Sequence, residues 1–431
     1  MRRLRDFFLM SRPPLLARRG DARIVGVRKT AVLAILLVAV SVTAEDWPQF
    51  RGPGGEGHST ETGLPLEWSE TQNILWKSRV PGRGWSSPVV AGGRVWLTTA
   101  IDQRGTASLR LLAYDVASGK EVVNVEVFSV RNAFLKNIKN SLASPTPIVE
   151  GDRVYVHFGA DGTAAVSTDG KILWKVTLRY DSMHGNGGSP VLYRDLLIVS
   201  CDGADEAYVI ALDKATGKTR WKTPRREPYD QSYTTPLVIP VNGRDQVVSI
   251  GAYRAAAYDP LTGKEIWRVS YGDGFSNVPK PVFGGGLVFI GTGFQEPSML
   301  AVRPTGTGDV TETHVAYTIE RGAPFTPSPL IVGDEFYMVS DIGVASCLDV
   351  RTGKIHWQQR VGGNYSASPV FADGRIYFLS EEGVATVIAP GMEFRRLAVN
   401  TLDGTTFASI AVSGGTLFIR SDAYLYRIGM R

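Results

Sequence analysis

Several things are scarce in this chain of 431 residues. It has two cysteines and five histidines. Cys201 and Cys347 lie 146 positions apart, and they do not make the dense cysteine framework of a small disulfide scaffold. His58, His157, His184, His314 and His356 form no spaced metal motif. There is no Gly-x-Ser-x-Gly elbow, no His-Glu-x-x-His and no EF-hand loop, and the Gly-Lys pairs lack the upstream Gly of a phosphate loop. No basic block or aromatic-basic stripe points to nucleic acid, and no patch points to a membrane surface. Long apolar runs are also missing. The longest, Thr30 to Val42, is about 13 residues, short of the roughly 20 a membrane helix needs.

That run reads instead as part of an export signal. Arg28 and Lys29 precede it, and Val42 and Ala44 stand at the minus-three and minus-one positions before Glu45, so cleavage is expected there. Residues 1–44 are therefore read as a leader with a signal peptide, leaving no membrane span after cleavage and placing the mature chain in the periplasm or outside the cell. The leader carries nine Arg or Lys and two Asp, so its removal turns the formal net charge from +5 to about −2.

What the chain has in quantity is glycine (47), proline (24) and aromatic residues, set among short apolar runs. This is an all-β composition. The runs repeat. A Ser/Thr-Pro step before an apolar strand recurs at Ser87-Pro88, Ser144-Pro145, Ser189-Pro190, Thr235-Pro236, Ser328-Pro329 and Ser368-Pro369, with degenerate copies at Lys280-Pro281 and Ser409-Ile410. Eight copies at a period of about 40 to 57 residues suit propeller blades. Gly-rich turns such as Gly92-Gly93-Arg94 and Asp373-Gly374-Arg375 predict a hairpin after each step, and Gly284-Gly285-Gly286 is read as another hairpin turn. A third strand ends in Asp, then Thr-Gly-Lys, then Trp: Asp213, Thr216-Gly217-Lys218 and Trp221; Asp259, Thr262-Gly263-Lys264 and Trp267; Asp349, Thr352-Gly353-Lys354 and Trp357. The Asp caps the turn, Gly takes its left-handed position, and the Trp offers an apolar face to the next blade.

The expectation is an eight-bladed β-propeller of four-stranded antiparallel blades over residues 74–431. The last copy is one strand short, and the segment around Trp76 is an orphan strand, so an N-terminal strand should close the ring and remove its open edges. Residues 45–73, rich in Pro and Gly, are expected to form an irregular arm, and no appended domain is expected. The two cysteines fall in blades three and six and are expected to be buried thiols.

The Ala-x-Asp-x-x-Thr-Gly-Lys-x-x-Trp pattern resembles the PQQ-like repeat, named for pyrroloquinoline quinone, of quinoprotein alcohol dehydrogenases and of the propeller lipoprotein of the outer-membrane β-barrel assembly machine. Trp47-Pro48-Gln49-Phe50-Arg51-Gly52-Pro53, with Leu64-Pro65, Trp68-Ser69 and Asn73 to Trp76, is similar to the start of exported planctomycete-type members. The resemblance implies the fold strongly and a role weakly. For a dehydrogenase it implies adjacent cysteines, a calcium held by carboxylates and amides, an aspartate base and a stacking Trp. Here there is no Cys-Cys pair and no Cys-x-x-Cys-His haem motif.

The segments entering the innermost strands should gather at the channel mouth. Asp181, His184 and Asn186 stand before blade three, with Asp230, Gln231, Asn277 and Asn364 at comparable places. Trp85, Tyr233, Phe325, Tyr365 and Phe407 sit three or four residues before the Pro or its substitute. These residues either line a mouth suited to sugars, planar ligands or peptide segments, or they are loop polar groups and inter-blade packing. The expected role is a non-catalytic binding or scaffolding protein of the cell envelope, with an envelope or extracellular protein or a small ligand as partner and no cofactor. The alternative is a quinone-dependent oxidoreductase, with pyrroloquinoline quinone and calcium but without the usual cysteines.

Overall fold

The computed structural model describes residues 45–131 and 137–431; the export leader read at 1–44 lies outside them. The described strands form eight antiparallel sheets in chain order, as the repeats predict. Blade three is typical: strands Val191–Tyr193, Leu196–Asp202, Ala207–Asp213 and Thr219–Pro224 pair in sequence from the centre outward. Leu196–Asp202 is buried along its whole length, because both faces of a middle strand are covered by neighbouring blades. Outer strands such as Ile355–Arg360 meet solvent and carry charge.

The ring closes through the N-terminus. Strand Ile74–Arg79 pairs antiparallel with Tyr424–Ile428, the last strand of the chain, with Arg79 opposite Tyr424 and Ile74 opposite Ile428. Blade eight thus takes its fourth strand from the other end of the molecule. Cys201 and Cys347 are free and buried in blades three and six. Among the described residues no helix is long and apolar enough to cross a membrane.

Several neighbouring blades are joined at the outside by the repeated Trp, whose place is taken by Val123 in blade one and Ala398 in blade seven. The Trp174 indole of blade two donates to the Lys214 carbonyl of blade three at 3.1 Å. It covers Gly217, where a Cβ would sit 2.6 Å from the ring. Gly217 has φ +73°, so both the turn and the close approach require glycine. Trp76 does the same to Val116 and Gly119 of blade one, and Trp221 to Pro260 and Gly263 of blade four. Blade five substitutes Tyr317, whose hydroxyl donates to Val350 O of blade six at 2.7 Å.

Two details differ from the expected pattern. Blade four gains a fifth strand, Gly308–Asp309, paired parallel to Trp267 and Arg268. In blade two the innermost strand is Ile148–Glu150, so its step is Thr146-Pro147 rather than Ser144-Pro145. The sequence Ser-Pro-Thr-Pro offers two equivalent starts two residues apart, and only strand pairing separates them.

Candidate functional site

The innermost strands surround a cavity of about 380 Å³. Its throat is built by the repeated step itself. The backbone N–H of Ser87 donates to Thr146 Oγ1 (3.0 Å), Thr146 to Ser189 Oγ (2.9 Å), and Ser189 to Thr235 Oγ1 (2.9 Å). After a gap, Lys280 donates to Ser328 Oγ (2.9 Å), Ser328 to Ser368 Oγ (3.0 Å), Ser368 to Ser409 Oγ (2.9 Å), and Ser409 back to Ser87 Oγ (3.0 Å). The chain of bonds circles the channel and is interrupted once, where Lys280 has no hydroxyl to offer Thr235.

The mouth stands two residues upstream of each throat position. Trp85, Ser144, Gly187, Tyr233, Val278, Thr326, Ser366 and Phe407 all line the cavity. Trp85 and Phe407 pack with centroids 4.6 Å apart. On the far side Phe275, Phe294 and Phe325 form a second aromatic row, with centroids 6.2 and 5.4 Å apart, and His184 packs beside Tyr233 at 6.2 Å.

The arm closes the other end. Trp47 forms a bridge with Val90 of blade one, Pro48 O accepts from Val149 N of blade two, and Phe50 faces into the cavity. Arg51 then crosses to blade six, donating to the carbonyls of Ser328 (3.2 Å) and Pro329 (2.7 Å). The Lys280 ammonium donates to Gly55 O at 2.6 Å, and His58 bridges to Phe371 of blade seven. The cavity is therefore a cup. Burial holds the Lys280 ammonium down at about 7, helped by the nearby Arg51 charge and opposed by Glu56. The Arg51 guanidinium is lowered to about 10 by burial, with Glu56 opposing, and stays charged at neutral pH.

Of the residues singled out from sequence, Trp85, His184, Tyr233, Phe325 and Phe407 line the cup. Most of the others hold the loops together, Asp181 through its backbone atoms. Gln231 donates to Asp181 O (3.0 Å) and accepts from Met183 N (3.1 Å). Asp230 accepts from the Tyr253 hydroxyl (2.9 Å) and from Gln231 N (2.7 Å). Asn186 donates to Gly188 O, Asn277 to Gly291 O, and Asn364 to the Glu382 carboxylate. Tyr365 is buried in the core with Tyr337 and Phe378. Blades six and seven carry one more residue between aromatic and throat, so Thr326 and Ser366 take the mouth positions; Phe325 still reaches the cup, and Tyr365 turns inward. Sequence reasoning did not find Phe50, Phe275, Phe294 or the role of the throat hydroxyls. The hydroxyl signal was visible as the repeated Ser/Thr, but it was read only as a strand marker.

The lining does not suit a calcium-held quinone. Calcium takes oxygen ligands, usually carboxylates among them, and among the described residues no Asp or Glu lines the cup. Among the described residues no cluster of three or more His, Cys, Asp or Glu side chains is placed to share a metal ion. The two thiols belong to separate blades.

A family model described as outer membrane protein assembly factor BamB matches residues 59–200, 107–359 and 253–407; the overlaps follow from a repeat that aligns in more than one register. Among solved structures, the crystal structure of BamB from Moraxella catarrhalis is similar at 14% identity, covering 83% of this chain and 97% of that one with a TM-score of 0.59. The crystal structure of quinohemoprotein alcohol dehydrogenase from Comamonas testosteroni is similar at 12% identity, covering 90% and 81% with a TM-score of 0.65. At such identities the likeness is one of fold. No curated protein matches the chain by sequence.

Proposed function

This chain belongs to the family described as outer membrane protein assembly factor BamB, and from that premise we propose that it is a non-catalytic binding or scaffolding propeller of the cell envelope. In this reading the mature chain is exported to the periplasm or beyond and holds a protein segment or small ligand at the cup. The observation that carries it is the division of labour around the mouth. Polar side chains of the rim such as Gln231, Asp230 and Asn364 are engaged in bonds within and between loops, while the surface turned toward the cavity is mainly aromatic and hydroxylic, with Asn137, Lys139, Asn140 and His184 beside it. Such a surface binds and orients; it does not offer a paired acid and base to a substrate.

Site-specific crosslinking tests this. A photoreactive phenylalanine analogue replaces Phe407 at the mouth or Asp152 in the exposed hairpin turn at the opposite face. In the native host a discrete adduct is expected from the mouth position and none from position 152. Equal labelling from both faces, or none from the mouth, would sink the proposal. Dye-linked alcohol oxidation that appears on adding pyrroloquinoline quinone and calcium would replace it with the oxidoreductase reading.

A further inference from the structure

The throat carries an imbalance of hydrogen-bonding groups. A hydroxyl has one proton to give and two lone pairs to receive. Each of the seven throat hydroxyls has received a backbone N–H from an adjacent blade. Among the described residues none of them has a hydrogen-bond acceptor for its own proton. Their residues are 2 to 5% exposed, and all seven line the cup, so the free O–H groups of seven blades converge on one space. At the mouth Trp85 adds an indole N–H that is buried and without a partner.

The lining supplies few acceptors to match them: among the described residues only His184 Nδ1 and the Tyr233 hydroxyl oxygen are likewise buried without partners, for seven free hydroxyl protons. Among the described residues no carboxylate lines the cup, and the one lysine that does, Lys139, is paired with Glu381 at 2.9 Å. One permanent charge stands directly under the throat, the Arg51 guanidinium, held by the backbone carbonyls of Ser328 and Pro329. The walls above are aromatic on opposite sides. In an eight-membered ring blades eight and one, which bring Phe407 and Trp85, face blades four and five, which bring Tyr233 and Phe275.

Taking the mouth as a binding site, as proposed above, we infer that the cup takes a small monocarboxylic acid, its carboxylate seated among the throat hydroxyls and its flat apolar body between the aromatic walls. A carboxylate is an acceptor only and can receive several O–H bonds at once. Bonds to a charged acceptor are stronger than those to a neutral one, and Arg51 and Lys280, opposed by Glu56, are the charged groups beneath the throat. A phosphate, with more charge and no apolar body, would leave the aromatic walls unused.

Calorimetric titration of the full chain with 2-naphthoate and 2-naphthamide tests the inference, since the two share a body and differ in the head. One-to-one binding of 2-naphthoate, at least about tenfold tighter than the amide, is expected from the difference between charged and neutral acceptors. Ser409→Ala should weaken the acid by about threefold to tenfold and the amide by less. Should that variant fail to fold, the ligand pair on the unaltered chain still decides. Equal binding of both overturns the carboxylate assignment while leaving the mouth a binding site. Binding of neither removes small acids as occupants, and crosslinking at position 407 then decides separately whether the mouth holds a partner.

Discussion

The outer and inner rims of the propeller join the same blades by different chemistry. Outside, a Trp of one blade covers a glycine turn of the next and donates one indole hydrogen bond. Inside, a backbone N–H meets a Ser or Thr hydroxyl, and nothing large is involved. The outer joint consumes everything its side chain offers, apolar face and polar edge alike. The inner joint uses only a lone pair and leaves the hydroxyl proton free to be donated. Stability can therefore be concentrated at the rim, while the throat is satisfied as structure and still free to bind.

Blades one and seven carry Val123 and Ala398 in place of the Trp, but among the described residues only one joint lacks both devices. Between blades four and five the throat hydroxyl is replaced by Lys280, and Trp267 of blade four finds no Thr-Gly-Lys turn on blade five. Each gap is filled from elsewhere. The Trp267 indole donates to Gln246 at 2.8 Å, and Gln246 donates to Pro304 O of blade five at 3.3 Å. The added strand Gly308–Asp309 covers the flank. Inside, Lys280 turns to the arm, and the two connectors bond directly, Tyr233 N to Asn277 O and Ser276 N to Gln231 O, both at 2.7 Å.

Breaking an outer joint should produce the largest loss. Trp221 is 8% exposed and caps Gly263. Trp221→Ala removes a buried aromatic from between two blades, and a loss of about 3–5 kcal/mol is expected. Denaturant unfolding of the variant measures it. A loss below about 1 kcal/mol would mean that the strand pairing, not the Trp, holds the blades together.

An inner joint should cost less. Ser368→Ala leaves the buried Ser328 N–H without its acceptor, which costs about 1–3 kcal/mol. The same unfolding experiment compares it with Trp221→Ala. If the two losses are alike, the rims share the load and the contrast drawn above fails.

The part of this architecture that repeats was legible in the sequence. Eight copies of one pattern gave the blade number, and the missing strand of the last copy pointed to the strand around Trp76. The site was legible only in part, because its pieces do not repeat in the same way. Trp85 and Phe407 could be placed by counting back from the strand. Asp230 and Asn364 could not, since an acidic or amide side chain in a loop reads the same whether its partner is a group of a neighbouring loop or a ligand. The path of Phe50 and Arg51 into the channel follows from contacts with blades one, two and six, hundreds of positions away for the last of these, and no local pattern encodes that. Lys280 looked like a worn copy of the repeat, whereas it marks the joint where the arm takes over.

That joint gives the smallest and most specific effect, one of pH. Folding holds the Lys280 ammonium near 7, whereas an unfolded lysine titrates near 10.4. Below pH 7 both states carry the proton, and the folded chain bears the full cost of a buried cation beside Arg51. Between pH 7 and about 10 the folded state has released the proton and the unfolded state has not. The unfolded chain then binds more protons, so stability should rise with pH, by up to about 1.4 kcal/mol per unit. Glu56, the one carboxylate acting on the group, works against the shift, and His58, which faces both Arg51 and Glu56, is itself pushed down mainly by burial. Lys280→Met keeps the length of the side chain and removes the proton. The difference in unfolding free energy between the two proteins, followed from pH 6 to pH 10, should move in favour of the native chain as pH rises. A difference that stays level would mean that Lys280 keeps its charge in the folded state, and that the arm closes the cup over a permanent cation at this position too.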